Sequence, residues 1–113
     1  MAGPFRGEVW SLSLDPTRGH EQAGTRPALI ISVDEFNQGP AELIVVLPIT
    51  TKERRIPFHV KLEPPEGGLK SKSFVKCEDV RSVSKDRLGH RFGTVSAETI
   101  AEVEFRLRVL LKL

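Results

Sequence analysis

Two hydrophobic periods divide this chain. As far as residue 83, apolar positions alternate with polar ones or run together in short bursts separated by turn-forming residues; beyond residue 96 they recur every three or four positions. "EVWSLSL" (8–14) sets Val9, Ser11 and Ser13 against Trp10, Leu12 and Leu14, the alternation of a strand, and Asp15-Pro16 ends it. Residues 15–26 carry no apolar period and predict a loop that is long for so short a chain. "PALIISV" (27–33) and "ELIVVLPI" (42–49) are apolar on both faces, as central buried strands are, with the turn "NQGP" between them.

Shorter elements follow. "IPFHVKL" (56–62) alternates and predicts a half-exposed strand; "EPPEGGLKS" predicts a turn whose Gly67-Gly68 suits positive φ. "SFVKCEDVRSV" (73–83) supplies one strand, or two short ones with a break. Five or six short strands in this length predict a partly open small barrel rather than a sandwich. The last segment changes period. Ser96 can cap a helix whose Ile100, Val103, Leu107, Leu110 and Leu111 share one face, covering a side of the barrel. On its outer side Glu102 with Arg106, and Glu104 with Arg108, stand four residues apart in the favourable order.

Length and composition narrow the class. A chain of 113 residues, 39% hydrophobic and 28% charged, predicts a single domain over 1–113 with one small core. Cys77 is the only cysteine, so no internal disulfide forms. "MAGPFRGEVW" has no apolar leader, and no run approaches the roughly 18 apolar residues of a membrane span. These features predict a cytoplasmic protein with no membrane partner. The net charge of +2 is uninformative, but its distribution is not. Between Lys52 and Lys76 seven basic residues face three acids, a local positive surface suited to a polyanion.

Candidate chemistry gathers in the long loop. "GHEQAGTRP" (19–27) holds His20, Glu21, Gln22 and Arg26. Pro27 forces Arg26 into an extended conformation at the mouth of a buried strand. Its guanidinium there offers a planar fork that matches a phosphate. His20 or Glu21 could accept a proton from a substrate hydroxyl. If strands 27–33 and 42–48 pair antiparallel, Arg26 approaches Thr50 in "PITTKERR", with Thr51, Lys52, Arg54 and Arg55 close behind. Lys76 and Glu78, flanking Cys77, alternate on one strand face, and Arg81 follows. Each feature has a plainer explanation: Thr-Thr as turn chemistry, Lys76 with Glu78 as a surface pair, Cys77 as a core residue, His59 and His90 as bystanders. No metal-ligand spacing is visible, and no cofactor is expected. A phosphodiester would then be cut without metal, which RNA permits because its own 2′-hydroxyl can attack the adjacent phosphorus.

The run "RGEVWSLSLDPTRGHEQAGTRPALIIS", followed in order by "LPITT", "FVKCEDVRSVSKDRLG" and "GTVSAETIAEVEFRL", strongly resembles the MazF/PemK (Kid) family of toxin endoribonucleases over nearly the whole chain. The resemblance implies a mainly β fold with a C-terminal helix, an SH3-like small barrel of the CcdB/PemK/MazF toxin fold. It implies a homodimer that cleaves single-stranded RNA at short sequences without metal, leaving a 2′,3′-cyclic phosphate and a 5′-hydroxyl. The implied partner is a cognate antitoxin whose C-terminal segment covers the RNA groove; DNA enters only through the antitoxin complex. In the MazF branch the family roles fall on Arg26, Thr50 and Glu21. In the PemK/Kid branch they fall on His20 with an Arg-x-Asp pair, which here reads Lys76 and Glu78. The catalytic candidates are thus Arg26, Thr50, Glu21, His20 and Glu78. Glu21, His20 and Glu78 compete as base, with Lys76 or His20 as acid. Gln22, Thr51, Lys52, Arg54, Arg55, Lys76 and Arg81 are candidates for binding RNA. Two other classes compete with this reading: a CcdB-like toxin that binds a topoisomerase without catalysis, and a plain RNA-binding barrel.

Overall fold

The computed structural model describes residues 3–14 and 24–113. Among these, seven strands form: β1 (Glu8–Ser13), β2 (Thr25–Ile30), β3 (Leu43–Thr50), β4 (His59–Leu62), β5 (Ser73–Lys76), β6 (Arg81–Ser84) and β7 (Leu88–Thr94). They are joined by a one-turn helix α1 (Asp34–Asn37) and followed by helix α2 (Ala97–Leu111). The strand order is β4-β5-β3-β2-β1-β7, with β6 also on β3, and every pair is antiparallel.

The two apolar runs behave as their composition requires. β2 and β3 pair in the register Ala28–Pro48, Leu29–Leu47, Ile30–Val46. Leu29, Ile31, Leu47 and Ile49 enter the larger core with Val9, Val60, Leu62, Val75 and Val103. The intervening Ala28, Ile30, Ile44 and Val46 join Leu12 in a second cluster, covered by Trp10, Leu14, Val83 and Leu88. A strand whose side chains alternate between two buried clusters has no polar face, hence its unbroken apolar sequence.

β3 changes partner along its length. β6 pairs with Leu43–Val46, and β5 with Ile49 and Thr50. Pro48, which has no N–H to give, sits at the changeover, where a ladder donor is not needed. "SFVKCEDVRSV" is accordingly two strands, broken by a 3₁₀ turn at Cys77–Asp79. The alternation expected for Lys76 and Glu78 ends there, because Glu78 lies on the turn.

The barrel closes through a backbone contact. A second 3₁₀ turn, Glu66–Gly68, lies against β7. Gly68 has φ +74°, and a Cβ there would stand 2.0 Å from the Phe92 carbonyl oxygen. Glu66 in the same turn fastens α2: its carboxylate accepts from the Ser96 N–H at 3.0 Å, the Ser96 hydroxyl at 3.1 Å and the Thr99 hydroxyl. Burial pushes the Glu66 carboxyl upward, but these hydrogen bonds from Thr99 and Ser96 outweigh it and hold the group below its ordinary value. Ser96 caps the helix as expected, accepting from the Thr99 N–H at 3.1 Å.

Tertiary contacts revise several expectations. On α2, Val103 is fully buried and Ile100 and Leu107 pack on the core, but Leu110 and Leu111 are 37% and 50% exposed. The core ends at Leu107, so the last turn has nothing to cover. Glu102 pairs with Arg106 at 2.6 Å, whereas Glu104 meets Arg6 at 2.7 Å rather than Arg108. His59 is buried, not half exposed. β7 went unforeseen because its centre, His90-Arg91-Phe92, is exposed and shows no apolar alternation.

The glycine contact gives a direct test. Gly68→Ala should destabilise the protein by about 3 kcal/mol or more, since the methyl group meets backbone that cannot yield. Gly24→Ala, at φ +102° with nothing within 4 Å among the described residues, should cost only about 1–2 kcal/mol of backbone strain. Urea unfolding of the two variants checks the difference; equal losses would show that closure does not depend on this approach.

Candidate functional site

The β2–β3 register determines what stands at the sheet end. Carried two residues beyond Ala28–Pro48, it sets Arg26 opposite Thr50. On the other side of β3, Thr50 pairs with Phe74 of β5, so Lys76 comes level with Pro48; Arg81 of β6 pairs with Val46. Residues 26, 46, 48 and 50 share one face by strand parity. Arg26, Thr50, Lys76 and Arg81 accordingly line a single cleft of about 350 Å³, floored by Leu12, Leu14, Pro27 and Pro48. Thr51, Lys52 and Arg54 line its outer side.

The cleft is strongly cationic. Among the described residues, Arg26, Lys52, Arg54, Lys76 and Arg81 face one carboxylate, Asp79. Asp79 holds Arg81 by two contacts of 2.8 Å and Lys76 at 3.5 Å. It thus fixes two cations against each other while leaving the site positive. Among the described residues Arg26 makes no ion pair, so its fork is open to a ligand. The Thr50 hydroxyl oxygen accepts from the Lys52 N–H at 3.1 Å. That is turn chemistry, and it leaves the hydroxyl proton to donate to an anion. A phosphate is the anion that such a planar fork, hydroxyl and ammonium group suit best.

His20, Glu21 and Gln22 fall outside the described residues; Leu14 and Gly24, to either side, are joined by a 2.9 Å hydrogen bond beside the cleft. Arg55, at φ 54°, and Glu78 are not among the cleft's lining residues. Glu78 turns instead to His59, with Oε2 3.0 Å from Nε2. The carboxylate in the cleft is its neighbour Asp79, which sequence reasoning passed over. The adjacent "ED" before Arg81 was the available signal, but choosing between the two needs the turn geometry. Among the described residues no group of three or more His, Cys, Asp or Glu is placed to hold a metal.

Cys77 is fully buried behind the site, as a core residue. Burial pushes its thiol up to about 11, with Glu78 adding to the shift and Arg106 opposing it. Since the folded state holds this proton more tightly than the unfolded chain, its contribution is complete below the unfolded value and is lost as pH rises from about 9 to about 11. The loss should be on the order of 2 kcal/mol. The chain contains no tyrosine, and the lysines that titrate in the same window are common to the parent and to Cys77→Ala, so the comparison isolates the thiol. Stability measured at pH 8 and pH 11 should fall more steeply in the parent than in Cys77→Ala; parallel slopes would contradict the assignment.

Comparison with known proteins identifies the family and the fold. Residues 5–111 match the family described as PemK-like, MazF-like toxin of type II toxin-antitoxin system. Endoribonuclease MazF9 of Mycobacterium tuberculosis is 35% identical over 113 residues, covering 96% of each chain. Endoribonuclease PemK of Escherichia coli is 40% identical over 110 residues, 94% of this chain and 80% of that one. Among solved structures, an endoribonuclease in complex with its cognate antitoxin, from a mycobacterial species, superposes with TM-score 0.81 at 28% identity, covering 98% of this chain and 97% of the other. The small barrel with a C-terminal helix is the fold these structures share.

Proposed function

This chain belongs to the PemK-like, MazF-like toxin family of type II toxin–antitoxin systems, and on that premise we propose that it is an endoribonuclease cutting single-stranded RNA at short sequences. The observation that carries the reading is the convergence of Arg26, Thr50 and Lys76 on one cationic cleft beside Leu14 and Gly24. The reaction needs no metal. A base removes the proton of the 2′-hydroxyl, whose oxygen bonds to phosphorus while the bond to the 5′-oxygen breaks. The departing oxygen takes a proton from an acid. The products are a 2′,3′-cyclic phosphate and a 5′-hydroxyl.

Arg26 stabilises the charge that accumulates on the phosphorane, and Thr50 holds the scissile phosphate through its free hydroxyl proton. His20 or Glu21, on the segment between Leu14 and Gly24, serves as base. Lys76, held by Asp79, is the candidate acid. Lys52, Arg54 and Arg81 extend the cationic surface along the RNA backbone, with Thr51 and Arg55 at its margins, and Gln22 is a further candidate for contact with RNA. A cognate antitoxin neutralises the enzyme by laying its C-terminal segment in the same groove. The reported antitoxin complex of the mycobacterial relative supports such a partner. The working compartment is the cytoplasm.

The active unit is a homodimer. Phe105 and Val109, four residues apart on α2, are 62% and 57% exposed, and Leu113, just beyond the helix end, is 83% exposed. An unpaired apolar stripe of this kind suits a second copy better than water. Sedimentation at micromolar concentration should therefore report a dimer; a fully active monomer would overturn this.

Arg26→Ala tests the chemistry. Its fold should survive, since substitutions at partly exposed strand ends usually change stability by about 0.5 kcal/mol. Cleavage should fall roughly 10²–10³-fold, with RNA affinity reduced much less and Arg26→Lys only a partial rescue. Cutting by the parent should persist in chelator and stop on a substrate with a 2′-deoxy sugar at the cut. Cleavage of the deoxy substrate would exclude the mechanism, and a normally active Arg26→Ala would remove Arg26 from it.

A further inference from the structure

Glu78 is next to one cleft side chain, Asp79, and two residues from another, Lys76, yet it does not line the cleft. Its Oε2 lies 3.0 Å from His59 Nε2, at the start of β4. The His59 side chain is 3% exposed, and its Nδ1 has no partner among the described residues. The bond to a carboxylate requires the proton on Nε2, so a buried imidazole donates outward to Glu78. Arg106 of α2, Lys61 and Glu102 line a pocket together with His59, and Glu78 and Arg106 both act electrostatically on the Cys77 thiol.

A 3₁₀ turn has three residues per revolution, so Glu78 and Asp79 point about 120° apart. With Glu78 tied to β4, Asp79 is turned away from it and meets Lys76 and Arg81. The same turn is held to the residue that precedes β4 by the Cys77 N–H on the Phe58 carbonyl at 3.2 Å. The backbone contact fixes where the turn starts; the Glu78–His59 bond fixes its rotation.

We propose that Glu78 acts on the reaction only through His59, as a positioning residue that orients the Cys77–Asp79 turn and thereby sets Lys76 and Asp79 in the cleft. The proposal rests on RNA cleavage by this site. Glu78 itself touches neither the 2′-hydroxyl nor the leaving oxygen.

Single-turnover cleavage of a defined RNA by Glu78→Gln, Glu78→Ala and His59→Ala, each checked for folding by circular dichroism, tests it. The parent cleaves in the same assay, so failure of the ribonuclease reading shows as an inactive parent and is separate from failure of this one. Glu78→Gln keeps an oxygen that accepts from His59 Nε2–H. It should retain the parent rate within about threefold and leave the pH–rate profile unchanged. Glu78→Ala and His59→Ala should each lose about tenfold in rate with RNA affinity nearly unchanged, and the double variant should be no worse than either alone. A loss of about 10²-fold or more in Glu78→Gln, with one limb of the pH profile gone, would make Glu78 a direct acid or base. A folded Glu78→Ala with full activity would show that the pair only stabilises the barrel. Either result overturns the proposal.

Discussion

Everything at this site descends from the pairing of β2 with β3. Ala28 opposite Pro48 fixes which residues of both strands enter each core cluster, because a slip of one residue would exchange the faces. With apolar side chains buried on both sides, every alternative register leaves some packed position empty or some proline opposed to a required donor. The same register brings Arg26 level with Thr50. The placement of a charged fork beside a hydroxyl is therefore stabilised by Leu29, Leu47, Ile30 and Val46 several residues away, not by contacts at the site.

The second constraint is the break in the neighbouring edge. Pro48 allows β3 to exchange β6 for β5, and the Cys77–Asp79 turn fills the gap. Lys76 and Arg81 arrive from opposite sides of that gap. Two cations would repel across it, and Asp79 between them offsets the repulsion while leaving the cleft as a whole positive. An anionic ligand then meets preorganised charges instead of having to gather them.

α2 and the Glu66–Gly68 turn hold the far side. Glu66 joins the turn to the helix cap, and Gly68 brings the turn against β7. The helix fills the barrel through Val103 and its neighbours, then runs on with its apolar stripe uncovered. Phe105 and Val109 of α2 are not among the residues that line the cleft.

The sequence by itself determined the elements whose pattern is local. The strands of residues 8–14 and 42–49, the Ser96-capped helix and the Gly67-Gly68 turn follow from period, capping and φ preference. The approach of Arg26 to Thr50 followed from two apolar runs that had to pair. Tertiary structure decided what depends on residues far apart in the chain. It chose Arg6 over Arg108 for Glu104, and it buried His59 by setting it beside Glu78. It brought Asp79 rather than Glu78 to the cleft, since a 3₁₀ turn replaces the alternation of a strand with a rotation of about 120° per residue. β7 was illegible because its exposed centre gains its order from β1 and the glycine turn, not from any pattern of its own. Local propensity writes itself into short stretches; the choice between two adjacent carboxylates depends on which one finds a partner across the sheet.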